Sequence, residues 1–124
     1  LVYVDLLAPD SDAAYLALAQ SGTWIEVTHV KRTDKTERIL AEDGERLARE
    51  IADEIRAASA RNDNAAVHLL FYGPLPIAIL MGTLLNTLDI TVYEWHRSAG
   101  DQPAGYLPAF TLRPGERNSI VGTW

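Results

Sequence analysis

Apolar side chains in the second half of the chain form first an unbroken run and then a helical repeat. Val67–Tyr72 carries almost only apolar and aromatic side chains, which is typical of a strand covered on both faces of a parallel sheet. Gly73 permits backbone angles closed to other residues, and Pro74 and Pro76 fix φ and lack amide donors, so the strand ends here. Apolar residues then recur at helical spacing across Ile77–Leu88, and this pattern predicts a helix.

The first half of the chain contains two further strand patterns with a helix between them. Leu1–Ala8 is a second near-continuous apolar run and predicts the first strand. Asp10 or Ser11 can cap the helix that follows, and Gly22 ends it. Trp24–Val30 alternates and is rich in β-branched side chains, so it predicts a second strand nearer an edge of the sheet. The apolar positions of the intervening helix are Ala14, Leu16, Leu18 and Ala19.

The remaining patterns complete an alternation of helices and strands. An amphipathic helix is predicted from near Gly44 to Ser59, because the apolar residues of this charged stretch share one face. Ile90–Trp95 predicts a fourth strand, and Tyr106–Leu112 predicts a short strand that returns antiparallel to it. Residues 113–124 are expected to form a tail or an edge element. Gly82 is expected to let the helix after the central strand lie close against the sheet or against a second subunit.

This alternation indicates one α/β domain, residues 1–112, with a Rossmann-like, mostly parallel sheet flanked by helices and a C-terminal antiparallel strand. If the first strand pairs with the second and third, and the third with the fourth, the strand order is 2-1-3-4. The topological switch then lies between strands one and three, and ligands of such sheets bind outside the carboxyl ends of the strands there. The loops Ala8–Asp12 and Tyr72–Pro76 line this predicted crevice.

Composition narrows the classes of function. The 124 residues are 48% hydrophobic, which is enough for one core. The absence of cysteine excludes a disulfide framework and a thiolate metal site. The net charge of −6 opposes binding of bulk DNA or RNA, and no unbroken apolar run is long enough to predict a membrane span. The chain begins at Leu1 and its single methionine is Met81, so we expect it to be processed or cut from a longer polypeptide, and a neighbouring domain stays an open alternative.

Residues with catalytic chemistry are few and scattered. The Walker, GxGxxG, HExxH and GxSxG motifs are missing from the sequence. Asp5 lies late in the first strand, where phosphoryl-accepting aspartates occur, but VDLLAPD lacks the partner carboxylates that would hold magnesium. His68 is near the start of its strand, whereas His29 and His96 lie near strand carboxyl ends and either contact a ligand or form structural hydrogen bonds. We therefore assign no catalytic residue, metal ligand or cofactor.

The crevice suits a small anionic ligand held by backbone amides and a few basic side chains. Gly73 would let the backbone approach a phosphate at a helix amino terminus, although Pro74 and Pro76 remove two donors there. Lys31 and Arg32 are either a solvated surface pair or the basic groups that meet the anion. The expected ligand-binding residues are Pro9, Ser11, Lys31, Arg32, Tyr72, Gly73, Pro74, Trp95 and Arg97.

The second half of the chain resembles the SAVED family, the sensor domains related to CARF domains in bacterial antiphage defence. The shared features, in order, are a His-Leu-Phe-like strand, a loop with a proline, a helix with an alanine and a glycine, a strand ending in Tyr-Glu, and a Tyr-x-Pro segment. Here the last three features fall at Ala78, Gly82, Tyr93, Glu94, Tyr106 and Pro108. The resemblance covers Val67–Leu112 and reaches the first half only through its βαβα pattern.

The resemblance implies a CARF-like sensor that binds a cyclic oligonucleotide and switches on a nuclease, protease or TIR effector without being an enzyme itself. A complete SAVED domain resembles two CARF-like halves in tandem, and this chain resembles the C-terminal half. Pairing with a second sensor half, or self-association, is therefore expected, together with a cytoplasmic location and no membrane partner. The alternatives are a ring nuclease or other small α/β hydrolase, and an interaction module whose apolar helix docks a partner chain.

Overall fold

The computed structural model of the protein describes residues 1–7, 12–32, 39–96, 100, 105–115 and 120–122. The helices are α1 (Asp12–Ser21), α2 (Ala41–Arg61) and α3 (Leu75–Leu84). The strands are β1 (Val2–Asp5), β2 (Thr28–Lys31), β3 (Val67–Tyr72), β4 (Ile90–His96), β5 (Gly105–Leu112) and β6 (Ile120–Gly122). None of the helices in these ranges is both long and apolar enough to cross a membrane.

The six strands of the described ranges form one sheet in the order β2-β1-β3-β4-β5-β6. β1 pairs in parallel with β2 on one side and with β3 on the other, and β3 pairs in parallel with β4. β5 returns antiparallel to β4, and β6 pairs antiparallel with β5. The predicted α/β class, the 2-1-3-4 order, the edge position of the second strand and the antiparallel C-terminal strand are confirmed.

Two strands differ from their predicted bounds by more than one residue. The second strand begins at Thr28, whereas the alternating pattern begins at Trp24. Trp24 is drawn away from the sheet because its indole Nε1 donates a hydrogen bond to the carbonyl oxygen of Leu18 in α1, at 3.1 Å. The first strand ends at Asp5, before the predicted end at Ala8. Side-chain bonding to a helix end therefore overrides strand periodicity at Trp24.

Two hydrophobic clusters lie on opposite faces of the sheet. The aliphatic cluster joins the sheet to α2 and α3, and its buried members are Val2, Val4, Leu6, Ala48, Ile51, Ala52, Ile55, Val67, Leu69, Ile77, Met81, Leu85 and Ile90. The aromatic cluster joins the sheet to α1, and its members include Leu1, Tyr3, Tyr15, Leu70, Tyr72, Tyr93 and Tyr106. All four residues of β1 are buried, as expected of a strand covered on both faces.

An aromatic residue occupies the buried side of α1. Tyr15 is buried, whereas Leu16 is half exposed. The ring of Tyr15 stacks on the ring of Tyr3 with 4.7 Å between centroids, and aromatic stacking of this kind adds to the gain from burial. Leu16 is one of the apolar positions of this helix in the sequence, yet the aromatic Tyr15 rather than Leu16 packs into the core.

α3 places only part of its apolar surface in the core. Ile77 and Met81 are buried, whereas Leu75 and Ile79 are 71% and 61% exposed. Gly82 is exposed, and a Cβ added there would meet no atom within 4 Å. The expectation that Gly82 brings the helix close to the sheet is therefore wrong, because this glycine lies on the outer side of α3.

The turn between β3 and α3 depends on glycine for space. The φ angle of Gly73 is not positive, so an L-residue can adopt this backbone conformation. A Cβ at this position would lie 2.8 Å from Cζ of Phe71 and 2.9 Å from Cδ1 of Leu6. Leu6 is buried in the aliphatic cluster and has little room to move. The packing of these two side chains therefore excludes a larger residue from the turn.

We predict that Gly73→Ala lowers the free energy of unfolding by about 1 to 3 kcal/mol, the usual cost of overpacking a core. Gly82→Ala is the matched control, since its added methyl group meets no atom within 4 Å. That control should raise the free energy of unfolding by up to about 1 kcal/mol, as expected for alanine in place of a helical glycine. Urea denaturation of both variants measures the difference, and equal stabilities would contradict the packing argument.

His68 lies on β3, far from the carboxyl end of that strand. Its Nδ1 shares a hydrogen bond of 2.9 Å with Oη of Tyr93, and the ring of Trp24 meets it edge-on with 5.0 Å between centroids. Burial lowers the pKa of His68 and raises the pKa of the Tyr93 hydroxyl. Both shifts favour the neutral forms of the two side chains in the folded protein.

Because the pKa of His68 is lower in the folded than in the unfolded chain, the unfolded chain binds the proton first as the pH falls. The stability that this side chain contributes is complete above its unfolded pKa of 6.5 and declines as the pH falls below that value. We predict that the free energy of unfolding of His68→Gln, measured with urea, falls less than that of the parent between about pH 7.5 and about pH 5. The free energy of unfolding of His96→Gln, which changes an exposed side chain, should fall as much as that of the parent. Identical pH dependence in the two variants would contradict the prediction.

Candidate ligand site at the carboxyl ends of the parallel strands

Three parallel strands end side by side at the predicted switch point. In the sheet register, Asp5 at the end of β1 is paired with Lys31 on β2 and with Tyr72 on β3. Two further backbone bonds continue this alignment, since the Arg32 amide donates to the Asp5 carbonyl at 3.1 Å and the Leu6 amide donates to the Tyr72 carbonyl at 2.8 Å. Neighbouring strands lie roughly 5 Å apart, so one small ligand can contact all three ends.

Asp5 and His29 form a partly buried pair just below the carboxyl ends of these strands. Asp5 is fully buried, and its Oδ2 lies 3.0 Å from Nε2 of His29. The imidazole ring packs near the rings of Tyr3 and Tyr15, with centroid distances of 4.8 and 5.1 Å. The side chain of His29 is 27% exposed, so it is held firmly and still meets solvent. Burial of a polar group costs free energy unless the group forms hydrogen bonds, and His29 provides one to Asp5.

Lys31 and Arg32 lie where the sequence placed them, beside the carboxyl edge. They line a cleft of about 450 Å³ between β2 and α2. The acidic side chains of Glu50, Asp53 and Glu54 line the same cleft. Because these carboxylates repel an anion, the cleft itself does not favour a phosphate, whereas Lys31 is also exposed at the end of β2.

The turn after β3 is more apolar than a phosphate site would be. Pro74 is the N-cap of α3, with φ −64° and ψ 139°, and no side chain caps the helix. Pro74 and Pro76 have no amide hydrogen, and the Ile77 amide donates to the Pro74 carbonyl at 3.1 Å. The first turn of α3 therefore offers an anion few donors. Pro74 and Pro76 instead line an apolar cleft of about 410 Å³ with Ile39, Leu40, Gly44, Ile77 and Leu80.

The two aromatic candidates, Tyr72 and Trp95, differ in their position relative to the carboxyl ends of β2, β1 and β3. Tyr72 ends β3 and packs partly into the aromatic cluster. Trp95 is 48% exposed and meets Tyr106 edge-on at a centroid distance of 5.3 Å. Pairing of β3 with β4 extends only to Leu69 and Val92, and β4 continues beyond that point with β5 alone. The structure therefore aligns Tyr72 with Lys31 across β1, and separates Trp95 from them.

Three of the expected ligand-binding residues belong to parts of the chain that the structure does not describe. Pro9, Ser11 and Arg97 lie outside the described residues. Across the described ranges, no group of three or more His, Asp or Glu side chains is placed to hold a metal ion. A separate cavity of about 310 Å³, lined by Trp24, Asn62 and His68 among others, lies at the opposite, amino end of the strands.

Sequence reasoning considered Asp5 and His29 separately and did not pair them. The two residues lie 24 positions apart, and their contact depends on the register of β1 against β2. The alternation of side chains places Tyr3 and Asp5 on one face of β1, and His29 and Lys31 on one face of β2. The register, in which Tyr3 is paired with His29 and Asp5 with Lys31, makes these the same face of the sheet. Only the pairing of the strands fixes which residues on that face meet.

The comparison with protein families agrees with this architecture. The family described as "SMODS-associated and fused to various effectors sensor domain", SAVED, matches residues 4–112. This match includes the end of β1 and all of α1 and β2, for which the sequence resemblance offered only an order of elements. A search of curated proteins finds no match. Because the family match covers most of the chain, this protein belongs to the SAVED family of sensor domains.

Proposed function

We propose that this domain binds a cyclic oligonucleotide at the carboxyl ends of β2, β1 and β3 and passes that event to an effector. The observation that carries the proposal is the register that aligns Lys31, Asp5 and Tyr72 at the switch point. Ligands of open α/β sheets bind at such points. Membership of a sensor family fused to effectors agrees with a binding role.

The groups at this edge suit the two chemical parts of an oligonucleotide. Lys31 is exposed and supplies a positive charge for a phosphodiester. The partly exposed ring of Tyr72 offers a face on which a base can stack. A small cyclic ligand carries few charges, so the net charge of −6 opposes it far less than a long nucleic acid.

The first test is a calorimetric screen of cyclic di-, tri- and tetranucleotides, followed by Lys31→Ala with the ligand that binds. Loss of one charge-assisted contact should weaken binding about tenfold. Arg49→Ala is the control, because Arg49 is an exposed basic residue on α2 that pairs with Glu45 at 2.8 Å, on a different surface. The site proposal is wrong if Lys31→Ala binds like the parent, or if Arg49→Ala weakens binding equally.

The sensing role also predicts that the ligand leaves the domain unchanged. A ring nuclease would instead open the cyclic phosphodiester, and the Asp5–His29 pair is the described group nearest to such chemistry. Chromatography of the ligand after prolonged incubation with the domain distinguishes these activities. Recovery of intact ligand is expected, and a linear product that disappears with His29→Gln would establish the enzyme instead.

We also propose that the outer side of α3 is a contact surface for a second copy of this chain. Its exposed apolar residues are Leu75, Ile79 and Leu80, and the neighbouring Leu40 is 52% exposed. α3 contains no charged residue, whereas the exposed side of α2 carries many. Two copies of an acidic chain can therefore meet along α3 without bringing like charges together. Gly82 leaves space there for close approach of another helix.

Ile79→Glu should convert a self-associating domain into a monomer, because it places a charge at the centre of this apolar surface. Leu16→Glu on α1 is the matched control, since Leu16 is also an exposed apolar residue of a helix. Sedimentation of the parent and both variants, with and without the cyclic nucleotide panel, measures the change. A parent protein that is monomeric under all these conditions, or an Ile79→Glu variant that still associates, would overturn the proposed surface.

A further inference from the structure

The Asp5–His29 pair uses one of the two ring nitrogens of the histidine. Nε2 of His29 faces the buried Asp5 carboxylate at 3.0 Å. The other ring nitrogen, Nδ1, makes no hydrogen bond to any residue of the described ranges, although the side chain is 27% exposed. The imidazole is partly exposed as a side chain and anchored through Nε2, so Nδ1 is the ring nitrogen left for an external partner.

The surroundings of His29 fix the ring in one orientation. Tyr3 of β1 and Tyr15 of α1 pack against it, and Asp5 holds its Nε2. On its own strand, Lys31 is the next residue on the same face. A side chain held in this way loses little conformational freedom when a ligand binds to it, so the contact is preorganised.

We propose that His29, as an imidazolium held by Asp5, donates a hydrogen bond from Nδ1 to a phosphate oxygen of the ligand. This inference rests on the proposed function and names one group of its phosphate contact. When both ring nitrogens carry protons, Nε2 donates to Asp5 and Nδ1 donates to the anion. The imidazolium then lies between two negative groups, and Asp5 acts as a positioning residue.

Proton linkage follows from this arrangement. A neutral imidazole that donates to Asp5 through Nε2 has only a lone pair at Nδ1, which repels a phosphate oxygen. Anion binding therefore requires a proton on His29 and weakens as the pH rises. The titratable groups that face His29 from the described elements are Asp5, Tyr3 and Tyr15, and Lys31 is the next residue on the same face of β2.

The first experiment uses inorganic phosphate as the probe. The chain has three histidines, so their Cε1–H resonances can be assigned with His29→Gln, His68→Gln and His96→Gln. Sodium phosphate at about pH 6 should move the His29 resonance saturably, beyond the effect of sodium chloride at equal ionic strength, and affinity should be at least about fivefold weaker at about pH 8. Phosphate itself is more negative at the higher pH, so its own charge would produce the opposite trend.

His96 is the internal control, because it is an exposed histidine near the end of β4. A phosphate effect on His29 no greater than that on His96 would overturn the inference. So would a His29 response that is unchanged or stronger at the higher pH. Asp5→Asn, which keeps the shape of the side chain and removes its charge, should lower phosphate affinity and shift its pH profile.

The second experiment measures binding of the cyclic oligonucleotide that the calorimetric screen identifies. His29→Gln should bind about tenfold more weakly than the parent and lose the pH dependence, whereas His96→Gln should retain both. Equal affinity of the parent and His29→Gln would refute the phosphate contact and leave cyclic oligonucleotide sensing intact. If no cyclic oligonucleotide binds while phosphate still moves His29, the proposed function fails and the anion contact stands.

Discussion

The two-sided pairing and two-sided burial of β1 are the constraint on which the rest of the structure depends. This four-residue strand is paired along both edges, with β2 and with β3, and each of its residues is buried. A strand in this position requires a packed layer on each face of the sheet. The chain supplies α2 and α3 on one face and α1 on the other. The switch point exists because β1 lies between strands reached by opposite crossovers.

The two layers have different chemistry. The face covered by α2 and α3 is aliphatic, and its hydrophobic packing needs no polar partner. The face covered by α1 is largely aromatic, and the buried carboxylate of Asp5 belongs to this side. A charge removed from water must be compensated, and His29 provides a hydrogen bond to it. The groups that can recognise a ligand are therefore concentrated on the aromatic side.

Gly73 links the proposed ligand edge to the proposed contact surface. Tyr72 ends β3 at the carboxyl edge, and the exposed Leu75 begins α3 only three residues later. The side chains of Phe71 and Leu6 pack against this turn, so the proposed ligand edge and the proposed contact surface share these two neighbours.

The sequence by itself determined the elements with strong patterns. The apolar run Val67–Tyr72 became β3 with the predicted bounds, and the spacing of Ile51 and Ile55 placed the buried side of α2 correctly. These predictions succeed because a period of two or of 3.6 residues is set by local backbone geometry. The strand order also followed, since alternating helices and strands permit few topologies.

Only the tertiary structure decided which residues meet. Trp24 lies outside the sheet and donates a hydrogen bond to Leu18. Tyr15 rather than Leu16 is buried in the core, and Gly82 lies on the outer side of α3. The pairing of Asp5 with His29 depends on the register of two strands that are separated along the chain by a helix. Periodicity assigns each side chain to a face of its own element, but contacts between elements depend on register and rotation, which the packed core fixes.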